Sequence, residues 1–313
     1  PYTTLFRSVE HRQIMILGGG PAGFTAALYA ARADLKPLLV TGLTLYGQAS
    51  QTHCIENYPG FPEGVGGSDL GQRLDEQAKR FGAEIIYDTV QCVNLQERPF
   101  EVCLSSTKYS ADSLIISMGA DSRKLGVPGE REFTGRGVSY CATCDGAFYK
   151  EKDIHMVGGG DSAIEEALFL TRFARSVTII HRRDQLRAGA ILENRARNNP
   201  RIHFIWDTVV REIIGENSVS HLLVENVKTG RQEKINSDGV FVSIGHMPNT
   251  AVLEGQLKLT EFGTIAIDSH METSVKGVYA AGEIADPYFR QVVTSAGMGA
   301  AAAISAIKYL ATL

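Results

Sequence analysis

The segment Cys141-Ala142-Thr143-Cys144-Asp145 carries the most distinctive chemistry in the chain. Two cysteines separated by two residues can close a small, reducible disulfide. An acid beside them, Asp145, can shuttle a proton during thiol exchange, although Asp is also common as a helix cap or turn residue. A CxxC pair is also half of a zinc site. Zinc takes four ligands, the sequence has no second such pair, and no metal is expected. Shortly downstream lies Gly158-Gly159-Gly160-Asp161-Ser162-Ala163, a glycine-rich turn of the kind that holds a dinucleotide pyrophosphate at a helix N-terminus. A redox-active thiol pair beside an electron-carrying cofactor points to electron transfer to a disulfide.

The elements that must position these groups occur twice. Gln13–Leu17 reads as a buried strand, followed by Gly18-Gly19-Gly20-Pro21-Ala22-Gly23, a helix through Ala33 and a strand over 37–40. Ile154–Val157, the turn from Gly158, a helix to about Phe173 and a strand over 177–180 repeat that order. Gly18 to Thr41 and Gly158 to His181 each span 23 positions. One glycine fingerprint is weak evidence, whereas two in matching contexts predict two dinucleotide-binding units. The second copy ends in Ala163 where the first has Gly23, which loosens the packing of helix on strand.

Nucleotide choice is made at the end of the second strand. The first copy has the neutral Thr41-Gly42, and the second has His181-Arg182-Arg183 with Arg187 four residues on. Guanidinium groups match a phosphate bidentately, so the second copy reads as an NADPH site, a solvated basic strand edge being the plainer alternative. FAD is then the economical partner for the first copy, because hydride must become electron pairs that a disulfide accepts. Gly18, Gly20, Pro21, Ala22 and Gly23, with Thr41, Gly42, Gly47, Gln48 and Asn57, are its candidate contacts. Gly119, Gly282, Glu283, Arg290, Gln291 and Val292 complete that set from later in the chain. For NADPH the candidates are Gly158, Gly160, Asp161, Ser162, Ala163, His181, Arg182, Arg183, Arg187, Gly245 and His246, the last equally readable as a loop histidine.

Flavin candidates at both ends imply an α/β fold of two Rossmann-like domains, the NADPH domain inserted into the FAD domain. The boundaries expected are 9–119 and 246–313 for the FAD domain and 120–245 for the NADPH domain, with crossovers at Leu114–Gly119 and Val240–Gly245. Residues 1–8 lack an initiating Met and share no pattern with the rest of the chain, so they are expected to be a non-native leader.

Length fits two domains. The net charge of −4 excludes a bulk basic footprint for nucleic acid. No apolar run is read as long enough to span a bilayer. Five cysteines are too few, and odd in number, for a secreted disulfide framework, so a reducing cytoplasm is expected. Cys54, Cys92 and Cys103 then read as small buried hydrophobes.

Jointly, GGGPAG at 18–23, CATCDG at 141–146, GGGDSA at 158–163, HRRxxxRA at 181–188, IGHMPNT at 244–250 and RQVVTSAG at 290–297 resemble the low-molecular-weight thioredoxin reductases of bacteria. The resemblance runs from about Gln13 to Leu310. It implies a homodimer with one FAD per subunit, NADPH as reductant, thioredoxin as acceptor and domains that rotate relative to each other. It further implies that Cys144 faces the flavin, that Cys141 attacks the partner disulfide, and that Asp145 is the proton donor and acceptor. Arg73 and Phe81, with the aromatic pair Phe148-Tyr149, are the expected docking residues, core packing being the alternative for the pair. Reduction of another dithiol partner of peroxiredoxin type, or a flavin sensor without turnover, are the alternative functions. Four departures fall on the flavin side: Glu283 for Asp, Met118 for Thr, Tyr46 for Gly, and Ser50-Gln51-Thr52-His53-Cys54 for a run of mostly threonines.

Overall fold

A computed structural model describes residues 9–42, 44–52 and 54–313; residues 1–8, Leu43, His53 and the side chain of Gln51 lie outside it. The chain opens with β1 (Glu10–Leu17), α1 (Pro21–Arg32), β2 (Leu38–Val40), α2 (Gly67–Arg80) and β3 (Glu84–Ile86). A meander of β4 (Cys92–Asn94), β5 (Phe100–Cys103) and β6 (Lys108–Ile116) comes next, then β7 (Ala120–Ser122). After these come β8 (Val138–Ser139), α3 (Ala142–Asp145), β9 (Asp153–Gly158), α4 (Asp161–Leu170), β10 (Ser176–Ile180), α5 (Ala190–Arg197) and β11 (Ile202–Ile205). A second meander, β12 (Thr208–Gly215), β13 (Val219–Asn226) and β14 (Gln232–Asn236), precedes β15 (Gly239–Ser243) and β16 (His246–Pro248). The chain closes with β17 (Val278–Ala280) and α6 (Val292–Leu310).

These elements form two compact units, Ser122–His246 and the remainder of the chain on either side of it. The first sheet runs β3-β2-β1-β6, parallel throughout, and the second runs β11-β10-β9-β15-β8, also parallel. The correspondence therefore extends from the turns to the sheets: β1 and β9 are central, and β2 and β10 lie beside them. In the outer unit one edge of β6 is shared, with β5 antiparallel to its first half and β17 parallel to its second half. Strands buried on both faces explain the unbroken apolar runs: Ile14 to Leu17, Leu114 to Ile116 and Ile154 are fully buried.

α1 is held by α6 through small residues. Ala26, Ala27, Ala30, Ala302, Ala303 and Ala306 are fully buried. A Cβ on Gly299 would stand 2.1 Å from the Ala22 carbonyl oxygen, so the backbones meet there. Overpacking such a contact costs about 1–3 kcal/mol. The 19 residues of α6, with mean hydropathy 1.2, are long and apolar enough by length and composition to cross a membrane. The sequence reading missed this stretch because its Ser and Thr residues interrupt the run. Its alanine face packs on α1, as a core helix does.

The expectation for the single cysteines is corrected in part. Cys92 and Cys103 are paired in a disulfide across β4 and β5, on the outward face of the sheet. Their partnership depends on hairpin register, which a sequence separation of 11 conceals. Cys54 is a half-buried free thiol.

Candidate active site

Cys141 caps α3, its sulfur accepting the Cys144 backbone N–H at 3.2 Å while the two cysteines form a disulfide with Cα atoms 5.3 Å apart. A donated backbone N–H at a sulfur favours its thiolate form. The turn is anchored from below. Ala142 is buried, and a Cβ on Gly146 would already touch Leu170 at 3.1 Å and Phe173 at 3.3 Å. Both sulfur-bearing residues remain half-exposed on that fixed base.

Asp145 is held by a residue that sequence reasoning passed over. The Ser139 hydroxyl, buried at the end of β8, donates to Asp145 Oδ2 at 2.6 Å and accepts the Cys141 N–H at 3.1 Å. Burial pushes the Asp145 carboxyl above its ordinary range, and the Ser139 hydrogen bond pulls partly against it. The carboxyl thereby keeps its proton to higher pH than an exposed aspartate does. The available signal was a hydroxyl two residues before the first cysteine. Tyr149, expected as an exposed docking aromatic, is instead core: it packs edge-on against Phe241 at 5.0 Å and fills the space over Gly239. Phe148 is 43% exposed.

The two glycine turns press on their sheets at equivalent positions, although Gly18 takes a φ of 113° and Gly158 is not in the positive-φ region. A Cβ on Gly18 would lie 2.2 Å from the Ser117 carbonyl oxygen, and one on Gly158 would lie 2.4 Å from that of Ser243. Cβ atoms on Gly19 and Gly159 would strike Thr41 at 2.6 Å and the His181 ring at 2.3 Å. The third position differs in kind. Gly20 has open space about it among the described residues, and a Cβ on Gly160 would meet only the tip of Arg187, at 3.7 Å. Each turn is thus pressed onto its sheet at two points and open at the helix N-cap, where unpaired N–H groups suit a pyrophosphate.

Around the open end of α1 the outer unit gathers residues from both halves of its sequence. A Cβ on Gly47 would stand 3.1 Å from Gly20 Cα, and one on Gly282 would stand 3.1 Å from Ala22 Cβ. Gln48 donates to Asp121, and Asn57 donates to Gln291 at 3.1 Å. Gly119 takes a positive φ of 67°, and its carbonyl accepts the Asn249 N–H. Thr41 turns its hydroxyl inward, to the Ile86 and Gly42 carbonyls. Glu283 has its carboxyl raised to about 7, first by burial, with Arg290 opposing and Asp286 and Asp121 reinforcing. Asp286 itself was missed by the sequence reading. Its carboxylate accepts the backbone N–H groups of Tyr288, Phe289 and Arg290 at 2.9–3.1 Å and shapes the loop that delivers Arg290, Gln291 and Val292 to the start of α6. Of the unusual residues, Tyr46 directs its ring against Phe24 and over Gly71, and Met118 packs on the apolar core.

In the inserted unit, the segment after β10 folds back over the turn. The N–H groups of Arg187 and Ala188 donate to the Gly159 carbonyl at 2.7 and 3.2 Å, and Asp161 Oδ1 accepts the Gly189 N–H at 2.7 Å. Arg182, Arg183 and Arg187 are exposed, as are Asp161 and Ser162, whereas Ala163 is buried. His181 is buried, its pKa pushed down chiefly by that burial, and its Nε2 has no hydrogen-bond partner among the described residues. Gly245 takes a φ of 117°, pairs through its carbonyl with Arg123 N–H, and leads into His246.

Two pyrophosphate turns and an acid-flanked CxxC disulfide in one chain define a dinucleotide-linked disulfide oxidoreductase. The chain belongs to the pyridine nucleotide-disulphide oxidoreductase family, whose model matches residues 12–299. It is 46% identical over 305 residues to a thioredoxin reductase of Streptomyces coelicolor, covering 96% of this chain and 95% of that one. A thioredoxin reductase of Rickettsia conorii is 48% identical, with 95% and 98% covered. The crystal structure of thioredoxin reductase from Streptococcus pyogenes superposes with a TM-score of 0.93 at 44% identity, covering 98% of this chain and all of that one. FAD and NADPH are the cofactors of this family of reductases.

Proposed function

We propose that the chain is an NADPH-dependent thioredoxin-disulfide reductase whose working dithiol is Cys141–Cys144. The observation that carries this reading is the acid-flanked, helix-capped disulfide in the same unit as a pyrophosphate turn edged by arginines. Bound NADPH supplies hydride, and bound FAD converts it to electron pairs that a disulfide accepts.

The residues fit both groups. For FAD the open N-cap at Gly20, with Gly18, Pro21, Ala22 and Gly23, would take the pyrophosphate. Thr41, Gly42, Gly47, Gln48, Asn57, Gly119, Gly282, Glu283, Arg290, Gln291 and Val292 would surround the rest. For NADPH the open N-cap at Gly160, with Gly158, Asp161, Ser162 and Ala163, would take the pyrophosphate, and Arg182, Arg183 and Arg187 the 2′-phosphate. His181 with its orphaned Nε2, Gly245 and His246 would line that site.

Once the Cys141–Cys144 disulfide is reduced, the Cys141 thiolate attacks the partner disulfide and forms a mixed disulfide, releasing one partner thiolate. Cys144 then attacks Cys141, which frees the second partner thiolate and restores the internal disulfide. Asp145 hands its proton to a departing thiolate and recovers one when the pair is reduced again. The dithiol and the NADPH turn both belong to Ser122–His246, whereas the flavin turn belongs to the other unit. Exposed Phe81 and Arg73 in the outer unit, and separately exposed Phe148 in the inserted unit, are the proposed thioredoxin contacts. A homodimer working in the cytoplasm, with no nucleic-acid or membrane partner, completes the proposal.

The test is an anaerobic NADPH titration of the purified flavoprotein, followed by oxidised thioredoxin and a chromogenic disulfide. Bleaching of the flavin and thioredoxin-dependent colour are expected. Bleaching with no thioredoxin reduction would overturn the choice of partner.

A further inference from the structure

We propose that Cys92 and Cys103 form a second, reversible thiol–disulfide site, open to low-molecular-weight disulfides and separate from the Cys141–Cys144 pair. The two cysteines are register partners on antiparallel β4 and β5, with Cα atoms 5.0 Å apart, inside the range that a disulfide bridges without backbone movement. Alternation along both strands puts them outside. Val93, Leu95, Phe100, Val102 and Leu104 point into the core, while Cys92 is exposed and Cys103 half-buried on the opposite face. Neither thiol is therefore needed for packing.

Nor is their bridge needed to hold the hairpin. The Gln256 side chain accepts the Leu95 N–H and donates to the Val93 carbonyl, both at 2.8 Å, and Gln91 N–H donates to the Cys103 carbonyl at 2.8 Å. A pair that the ladder already holds in register, facing solvent, is free to open and close without unfolding the strand. The cross-strand neighbour of Cys103 on its other side is Lys108, whose ammonium is 2.8 Å from Glu101.

The exchange balances without any further oxidant. The Cys92 thiolate, the more open of the two, attacks a low-molecular-weight disulfide; that S–S bond breaks, a mixed disulfide forms and one small thiolate leaves. Cys103 attacks the Cys92 sulfur, closes the bridge and releases the second small thiolate, which takes up the displaced proton. Two protein thiols are oxidised and one small disulfide is reduced to two thiols. A dithiol reverses the sequence.

The experiment uses the flavin-loaded protein, reduced anaerobically with dithiothreitol, desalted, exposed to hydroxyethyl disulfide, alkylated and digested for mass spectrometry. The peptides carrying Cys92 and Cys103 are expected as a linked pair that fresh dithiothreitol returns to two alkylatable thiols. Cys103→Ser should retain a hydroxyethanethiol adduct on Cys92, and Cys92→Ser should leave NADPH-dependent disulfide reduction unchanged. Recovery of Cys92 and Cys103 as free thiols from a digest in which Cys141–Cys144 has closed would overturn the proposal. So would a bridge that dithiothreitol cannot open in the folded protein, which would make it a permanent link. Loss of turnover in Cys92→Ser, with the fold intact by circular dichroism, would overturn its separateness.

Discussion

Ser139→Ala offers the sharpest test of the thiol site, because one buried hydroxyl serves both the Cys141 backbone and the Asp145 carboxyl. Its 2.6 Å hydrogen bond favours the charged carboxylate against the burial that raises the pKa. A hydrogen bond to a charged group contributes about 1.5–3 kcal/mol, which is about ten- to a hundredfold in the proton affinity of the carboxyl. The variant should therefore push the Asp145 pKa further upward. The proton it passes to a departing thiolate stays in place to higher pH, and the alkaline limb of thiol–disulfide exchange moves up. The assay is single-turnover oxidation of pre-reduced enzyme by oxidised thioredoxin, measured across pH. Asp145→Asn, which cannot titrate, should lose that limb. Stability should fall by about 1–3 kcal/mol because the Cys141 N–H loses its acceptor. A purely structural role would lower the rate at every pH alike. A limb that stays in place or moves down in Ser139→Ala, or that survives in Asp145→Asn, would refute the reasoning.

Cys144→Ser should leave reduction of the flavin by NADPH intact and abolish disulfide turnover, as read by stopped-flow bleaching beside a steady-state assay; retained turnover would exclude the relay. Replacing Arg182 and Arg183 together by Ala should weaken NADPH by about a hundredfold, taking the lower end of the range for each exposed charge-assisted bond. NADH should be little affected, and an equal loss for both nucleotides would show that the arginines do not read the 2′-phosphate. Glu283 is raised from an ordinary value of 4.5 to about 7, so the flavin-stripped folded state holds a proton that the unfolded chain has lost between those values. Stability from this group is present on the acid side and disappears as pH rises through about 7. Thermal denaturation from about pH 5 to about pH 8 should therefore fall less steeply in Glu283→Gln than in the wild type.

Legibility in the sequence tracked the range of the interactions. Glycine turns, the CxxC pair and the basic edge after β10 are local, so spacing alone exposed them. α4 ends at Leu170, slightly earlier than periodicity suggested, because Thr171 to Phe173 tighten into a turn. Ser139 was invisible because its partner lies round a strand-to-helix corner, where a serine looks like any other. Asp286 was overlooked because its value lies in three backbone N–H groups rather than in a motif. Cys92 and Cys103 required the register of a hairpin. Tyr149 was misjudged because exposure of an aromatic depends on what covers it, here the side-chain-free surface at Gly239.

The contrast between Gly23 and Ala163 shows how far the likeness of the two turns goes. A methyl at Gly23 would fall 1.8 Å from the Gly18 carbonyl oxygen and 2.9 Å from the Ser117 hydroxyl, which itself donates to that carbonyl. In the second turn the methyl is present and buried on Ala163, and the space it occupies is the one a Cβ on Gly158 would need, 2.6 Å away. Ala163 therefore does not loosen the helix against the strand; it fills the gap that the first glycine leaves. Gly23→Ala should accordingly damage the first turn, whereas Ala163→Gly would leave a void in the second. The pyrophosphate fingerprint is thus satisfied by two different packings, and the choice between Gly and Ala at its last position reports what stands opposite the helix rather than which nucleotide binds.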